Sequence, residues 1–269
     1  MNLSTSKRQW ISAIARIGFV GKGIVYFMVG LLAMQAAIGM KAQATGTQQA
    51  LQEFIFPPFG SIFLIACAVG LLAHAIWKIV QSIFDPVDRR ENARVVVLRI
   101  VDFLTALLYI SLSYAAWQIL RGLNTQSSSQ QTEVWVANVL KLPYGKWIVM
   151  LFAAIITIAG FYQFYAAYTA HFDAQFDKSR MNSQKQHLLR QLGRIGFSAW
   201  GIVYLMLGFL FYQAAIYYNA NQAGGLADSL NALRAQPYGI WILGITSGGL
   251  LIYSLYLLTL SYYHKVFEN

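Results

Sequence analysis

Charge is what this chain has least of. Only 11% of its 269 residues are Asp, Glu, Lys or Arg, about half the share in an ordinary soluble domain. Too few polar side chains remain to coat a water-soluble body of this length. The composition is equally far from that of a disordered or collagen-like chain. The single cysteine, Cys67, cannot form an intramolecular disulfide, which excludes a disulfide-stapled fold. Familiar catalytic patterns are missing too: there is no Walker phosphate loop, no zinc-protease His-Glu pair and no nucleophile elbow. Gly21, Gly23 and Gly30 follow no strand and are wrongly spaced for a dinucleotide site.

What is present is apolar: 57% of residues are hydrophobic and 15% aromatic. Six stretches without charge are long enough to cross a bilayer as helices, at 23–40, 59–77, 103–120, 147–170, 195–218 and 238–263. A strand reading fails, because these runs are too long and do not alternate. In lipid, backbone groups must be paired internally, which helices achieve. The start of the chain has no small-residue cleavage site after a short apolar core, so the first run is read as a retained helix.

The net charge of +10 is unevenly placed. Fifteen basic residues fall at the N-terminus, in the loops after the second and fourth spans, and near the C-terminus. The other side holds five: Lys41, Arg121, Lys141, Lys146 and Arg234. The positive-inside rule then predicts both termini and the two basic loops in the cytoplasm. Membrane lipids are the expected partners, a protein partner in the membrane is left open, and nucleic acid is not expected.

The spans repeat. The run from Arg16 to Ile38 matches that from Arg194 to Ile216 at a constant offset of 178: Arg16, Gly18, Phe19, Gly23, Tyr26, Gly30 and Gln35 correspond to Arg194, Gly196, Phe197, Gly201, Tyr204, Gly208 and Gln213. A weaker copy at offset 83 supplies Arg99, Tyr109, Ser113 and Gln118. The even spans each open with Pro, an aromatic residue and Gly: Pro58-Phe59-Gly60, Pro143-Tyr144-Gly145 and Pro237-Tyr238-Gly239. Pro is expected in the first helical turn, where its missing donor costs nothing. Trp147 and Trp241, four residues on, suit the aromatic belt. Before each Pro lies a partly apolar stretch, such as 226–233, that reads as a short interfacial helix.

The fold expected is therefore all-α: a six-helix integral membrane bundle in one domain, 1–269. It is built from three parallel helical hairpins, at about 8–90, 91–180 and 186–269. An even number of crossings per unit places their pseudo-threefold axis along the membrane normal. The pattern Ala15-Arg16-x-Gly18-Phe19-x-x-x-Gly23-x-Val25-Tyr26-x-x-x-Gly30-x-x-Ala33, repeated at Arg194, resembles the bacterial membrane family called domain of unknown function 1206. The second copy departs from it, with Asp102 for Phe19 and Ser113 for Gly30. The resemblance implies three two-helix units and a membrane location, and no reaction.

Several residues stand out as candidates. Gly23 and Gly30, like Gly201 and Gly208, lie one heptad apart and read as a packing seam, since small residues let helices approach closely in lipid. Arg16, Arg99 and Arg194 sit at the cytoplasmic rim. They read either as anchors for lipid headgroups or as a ring of guanidinium groups binding an anion at the axis. Asp102 lies three residues after Arg99 and is expected to pair with it. Tyr26, Tyr109 and Tyr204 at mid-membrane, and Gln35, Gln118 and Gln213 nearer the outer ends, are expected to hydrogen-bond between helices. His74 stands alone, with no second ligand at helical spacing to support zinc or haem. The acids Asp85, Asp88, Glu91, Asp173 and Asp177 read as solvated loop charges. No metal, cofactor or enzymatic role is expected. The leading functional expectation is a non-enzymatic component that binds a partner protein or lipid, and the alternative is a small-solute or anion channel or transporter.

Overall fold

The computed structural model describes residues 5–53, 60–84, 93–123, 127–176 and 181–263. Six long helices dominate: α1 (Thr5–Ala37), α3 (Gly60–Phe84), α4 (Ala93–Leu120), α6 (Gly145–Thr169), α7 (Ser183–Ile216) and α9 (Gly239–Tyr263). All six are long and apolar enough to cross a membrane. Three short helices precede the even spans: α2 (Thr47–Glu53), α5 (Ser128–Leu140) and α8 (Leu226–Arg234). The last of these falls where the apolar stretch before Pro237 predicts it.

The odd helices begin well before their apolar runs. α7 starts at Ser183, where the Asn182 side chain accepts a hydrogen bond from Lys185 N at 3.0 Å, a cap that satisfies one of the helix's orphan donors. The segment before it is not solvated throughout. A 3-10 turn, His171–Gln175, tucks Phe172 and Phe176 against Phe197 and Tyr256. Asp173 there accepts from Arg190, at 2.9 Å from Nε and 2.5 Å from the terminal nitrogen, and is not a free loop charge. Asp85, Asp88, Glu91 and Asp177, with Pro58, Phe59, Lys178, Arg180, His264 and Lys265, lie outside the described residues.

The Pro-aromatic-Gly motifs work differently from expectation. Pro143 and Pro237 lie in the turn before the helix, not in its first turn. The aromatic residue takes a left-handed conformation, φ 67° at Tyr144 and 60° at Tyr238. The glycine then passes so close to the preceding short helix that a Cβ would meet Val139 O at 2.0 Å, or Arg234 O at 1.9 Å. The motif is thus a tight corner in which only Gly fits the third place. Trp147 and Trp241 emerge from it exposed, as a belt residue should.

Around the bundle the packed neighbours run α4, α3, α1, α9, α7, α6. The most extensive interfaces join different repeats: α4 on α3, α7 on α6, and α1 on α9. The heptad glycines make these seams. A Cβ on Gly23 or Gly30 would press on Leu258 or Leu251 of α9, and one on Gly201 or Gly208 on Phe164 or Thr157 of α6. In the middle copy Ala106 and Ser113 take these places, both buried, and Ser113 Oγ donates to Ala68 O of α3 at 2.8 Å. The packing-seam reading of the four glycines is what the geometry shows.

A second seam closes two hairpins and fails in the third. Gly18 and Gly21 of α1 lie against α3, where Cβ atoms would fall 2.6 Å from His74 Cα and 2.5 Å from Gly70 Cα. In the third copy Gly196 meets Tyr253, and Ala199 meets Gly249. In the middle copy these positions become Val101 and Leu104 on α4, at the offset of 83, and Ile155 on α6, at the offset of 85 that relates Pro58 to Pro143. All three are exposed, and α4 and α6 share no packed interface among the described residues. Branched side chains where backbones must touch keep the helices apart.

Inserting bulk into the first of these seams tests the account. Gly21→Leu is expected to destabilise the protein by roughly 1–3 kcal/mol, the range for overpacking a close contact. Leu104→Ala, at the matching exposed place, is expected to change stability by no more than about 0.5 kcal/mol. Reversible unfolding in mixed detergent micelles reads both.

Candidate functional site

The arc of helices encloses a cavity of about 920 Å³, at the upper end of ordinary ligand pockets. Each odd helix turns the same face to it. Phe19, Lys22 and Tyr26 of α1, Thr105 and Tyr109 of α4, and Phe197, Trp200 and Tyr204 of α7 all line it. From the even helices come His74 and Lys78, Tyr162 and Gln163, and Tyr253 and Tyr256. At the end bearing the short helices the wall is polar, with Thr47, Gln48, Ser128, Gln131 and Thr132. On α7 the lining runs from Phe197 to Phe211, about 21 Å at the rise of an α-helix.

Local packing explains why these side chains point inward. The two glycine seams occupy the flanks of the odd helices, leaving a narrow stripe between them. On α1 that stripe carries Phe19, Lys22 and Tyr26, at helical spacings of three and four. The three tyrosines expected at mid-membrane therefore meet in one cavity. Tyr26 and Tyr109 hydroxyls lie 3.3 Å apart, an interhelical hydrogen bond between α1 and α4. Tyr204 sits beside Trp200, and Trp200 stacks edge-on to Tyr26 with ring centres 5.1 Å apart. His74, buried, packs edge-on against Tyr109 at 4.6 Å and Phe19 at 5.3 Å.

Two lysines that charge-counting assigns to span ends belong to this interior. Lys78 Nζ forms an ion pair with Asp102 Oδ1 at 2.8 Å, across the α3–α4 interface. Periodicity along α4 points Asp102 to Arg99 on its own helix; it does not reveal this partner, which comes from the neighbouring helix. Lys22 Nζ lies 5.5 to 5.8 Å from the ring centres of Tyr26, Tyr109 and Tyr253, within cation–π range. Among the described residues it has no carboxylate partner, and no Asp or Glu lines the cavity. The signal for Lys22 was present in the repeat: it shares the stripe of Phe19 and Tyr26, and its counterparts are Thr105 and Trp200.

The arginines behave otherwise. None of Arg16, Arg99 and Arg194 lines the cavity. Arg16 borders an outer groove between α1 and α3 with Ile17, Val20 and Val69. Arg194 reaches Tyr168 O of α6 at 3.4 Å, and the carbonyl of Arg99 accepts from Ser82 Oγ at 2.9 Å. The arrangement does not support an arginine-ringed channel mouth. Gln35, Gln118 and Gln213 do not bridge helices with their side chains among the described residues. Their backbone carbonyls accept from Met40, Leu123 and Tyr217, at the ends of α1, α4 and α7.

The short helices close one end of the cavity by bonds between repeats. Asn231 of α8 exchanges two hydrogen bonds with the Ala44 backbone, at 2.8 and 3.0 Å. Ser129 of α5 donates to Asp228 of α8 at 2.5 Å. Arg234 donates to Ala42 O, and within the first repeat Lys41 pairs with Glu53. Among the described residues no group of three or more His, Cys, Asp or Glu could hold a metal ion.

A chain of this kind, with three hairpins whose six long helices suit a bilayer and whose copies share one inward stripe, is a multi-pass membrane protein with an internal repeat. It belongs to the family Domain of Unknown Function (DUF1206), whose model matches at residues 17–85, 103–170 and 195–264. It is 30% identical over 263 residues to the "Uncharacterized protein YxxB" of Bacillus subtilis (strain 168), covering 97% of this chain and 94% of that one. No solved structure matches.

The Lys78–Asp102 pair offers a direct test. Both side chains are largely buried, and removing one partner of such a pair typically costs roughly 3–5 kcal/mol. Lys78→Met is expected to lose stability on that scale. Adding Asp102→Phe, the residue of the other two copies, is expected to restore most of it. A double-mutant cycle by unfolding in micelles makes the comparison.

Proposed function

We propose that this protein is a non-enzymatic component of the bacterial inner membrane that holds a lipid-like molecule in its central cavity. The observation that carries the reading is the cavity itself: all three repeats turn one aromatic stripe into it, and the wall between α4 and α6 is unpaired. Pockets between the helices of a bundle are common ligand sites, and this one adjoins the exposed apolar faces of α4 and α6. On this reading the three hairpins are related by a pseudo-threefold axis along the membrane normal. The cyclic order of odd-on-even interfaces supports that axis, with the middle copy as its break. The excess of basic residues beside the N-terminus and in the loops after α3 and α6 supports cytoplasmic termini.

Gentle extraction into detergent followed by native mass spectrometry tests the central point. The expected spectrum shows the chain carrying a retained lipid-sized mass. A spectrum of bare chain, with a partner protein bound instead, would move the reading to the protein-binding alternative. For the orientation, a C-terminal green fluorescent protein fusion is expected to fluoresce and an alkaline phosphatase fusion to stay inactive. The reverse pattern would invert the topology.

A further inference from the structure

The cavity has a charge balance that points to the chemistry of its occupant. Two ammonium groups project into it. One, Lys78, is answered by Asp102 at 2.8 Å. The other, Lys22, faces three aromatic rings, and no carboxylate among the described residues pairs with it. An ionised group at membrane depth is costly unless something compensates it. Aromatic faces supply part of that compensation. An anion would supply the rest.

The way in is equally specific. Val101, Leu104 and Ile155 replace the small residues that close the other two hairpins, and α4 and α6 stand apart. The cavity lining includes Leu98, Leu108 and Leu112 of α4 and Phe152 and Tyr162 of α6, the two helices that stand apart. Leu108 is 70% exposed, so the cavity wall there is continuous with the apolar outer surface. A molecule crossing this boundary needs an apolar chain for the crevice and one small negative group for Lys22.

Resting on the reading that the cavity holds a lipid-like molecule, we propose that its ligand is an acidic amphiphile, a single carboxylate or phosphate group on an apolar chain. It enters from the bilayer between α4 and α6, its charged group pairs with Lys22 beneath Tyr26 and Tyr109, and its chain lies along the crevice. The three-copy frame makes this a one-headed site, because the counterparts of Lys22 are Thr105 and Trp200.

The test uses the full chain in nanodiscs of phosphatidylcholine, with oleate or phosphatidylglycerol added as separate probes. Binding is read by native mass spectrometry and by the rise in unfolding temperature. Wild-type protein is expected to take up an acidic probe in preference to phosphatidylcholine. Lys22→Met is expected to weaken that uptake by about tenfold or more, as loss of a buried charge partner does. Lys22→Arg should keep it. Leu108→Trp, on the exposed face, should obstruct the crevice and lower uptake while leaving the ligand-free unfolding temperature unchanged. Preference for oleate alone identifies a free fatty acid as source, and preference for phosphatidylglycerol a membrane phospholipid. Equal uptake of the acidic probes by wild type and Lys22→Met would overturn the acidic-ligand inference and leave lipid binding standing. No retained lipid of any kind would remove both.

Discussion

The distance at which two helix backbones can meet governs this molecule. In lipid there is little hydrophobic gain in bringing apolar helices together, so the contacts rest on close van der Waals approach. Glycine at Gly23 and Gly30, and again at Gly201 and Gly208, lets its odd helix settle against the even helix of another repeat. Gly18, Gly21 and Gly196 do the same within a hairpin. With both flanks of an odd helix committed to neighbours, the stripe between them has one place to go. The aromatic interior, the position of Lys22 and the convergence of the tyrosines all follow from that.

The middle hairpin shows the same constraint by its failure. Where its partners have glycine or alanine, it carries Val101, Leu104 and Ile155. It keeps the other seam, with Ala106 and Ser113 in place of two glycines, so it remains bound to the bundle through α3 and α7. The result is an arc with one unpaired edge. α4 and α6 are accordingly the least buried of the six long helices.

Much of this was legible in the residues. The apolar runs located all six long helices, the constant offsets located the three hairpins, and the stretch before Pro237 located α8. The heptad glycines were read as a seam. What periodicity does not carry is the identity of the neighbour: it names the face of a helix, not the helix that face meets. So the pairing of Asp102 with Lys78 across an interface leaves no signal along α4 itself. Of the two readings of the arginines, the ring about an axis needs side chains that line the cavity, and none of the three does. Lys22 falls just outside the charge-free run 23–40, so its charge hides the face it shares with Phe19 and Tyr26. The Pro-aromatic-Gly corners were placed one turn late for a different reason, since a left-handed tyrosine has no marker in composition.

The pairing of α1 with α9 bears on how the chain is made. Of the six long helices, α1 is synthesised before the others and presents Gly23 and Gly30 to α9, which follows the other five. Until that partner is inserted, its glycine face meets only lipid, whatever α3 does on the opposite flank. Biogenesis of the bundle therefore closes in a single late event, and a chain truncated before α9 would be left with its N-terminal helix half-docked, a natural mark for quality-control proteolysis.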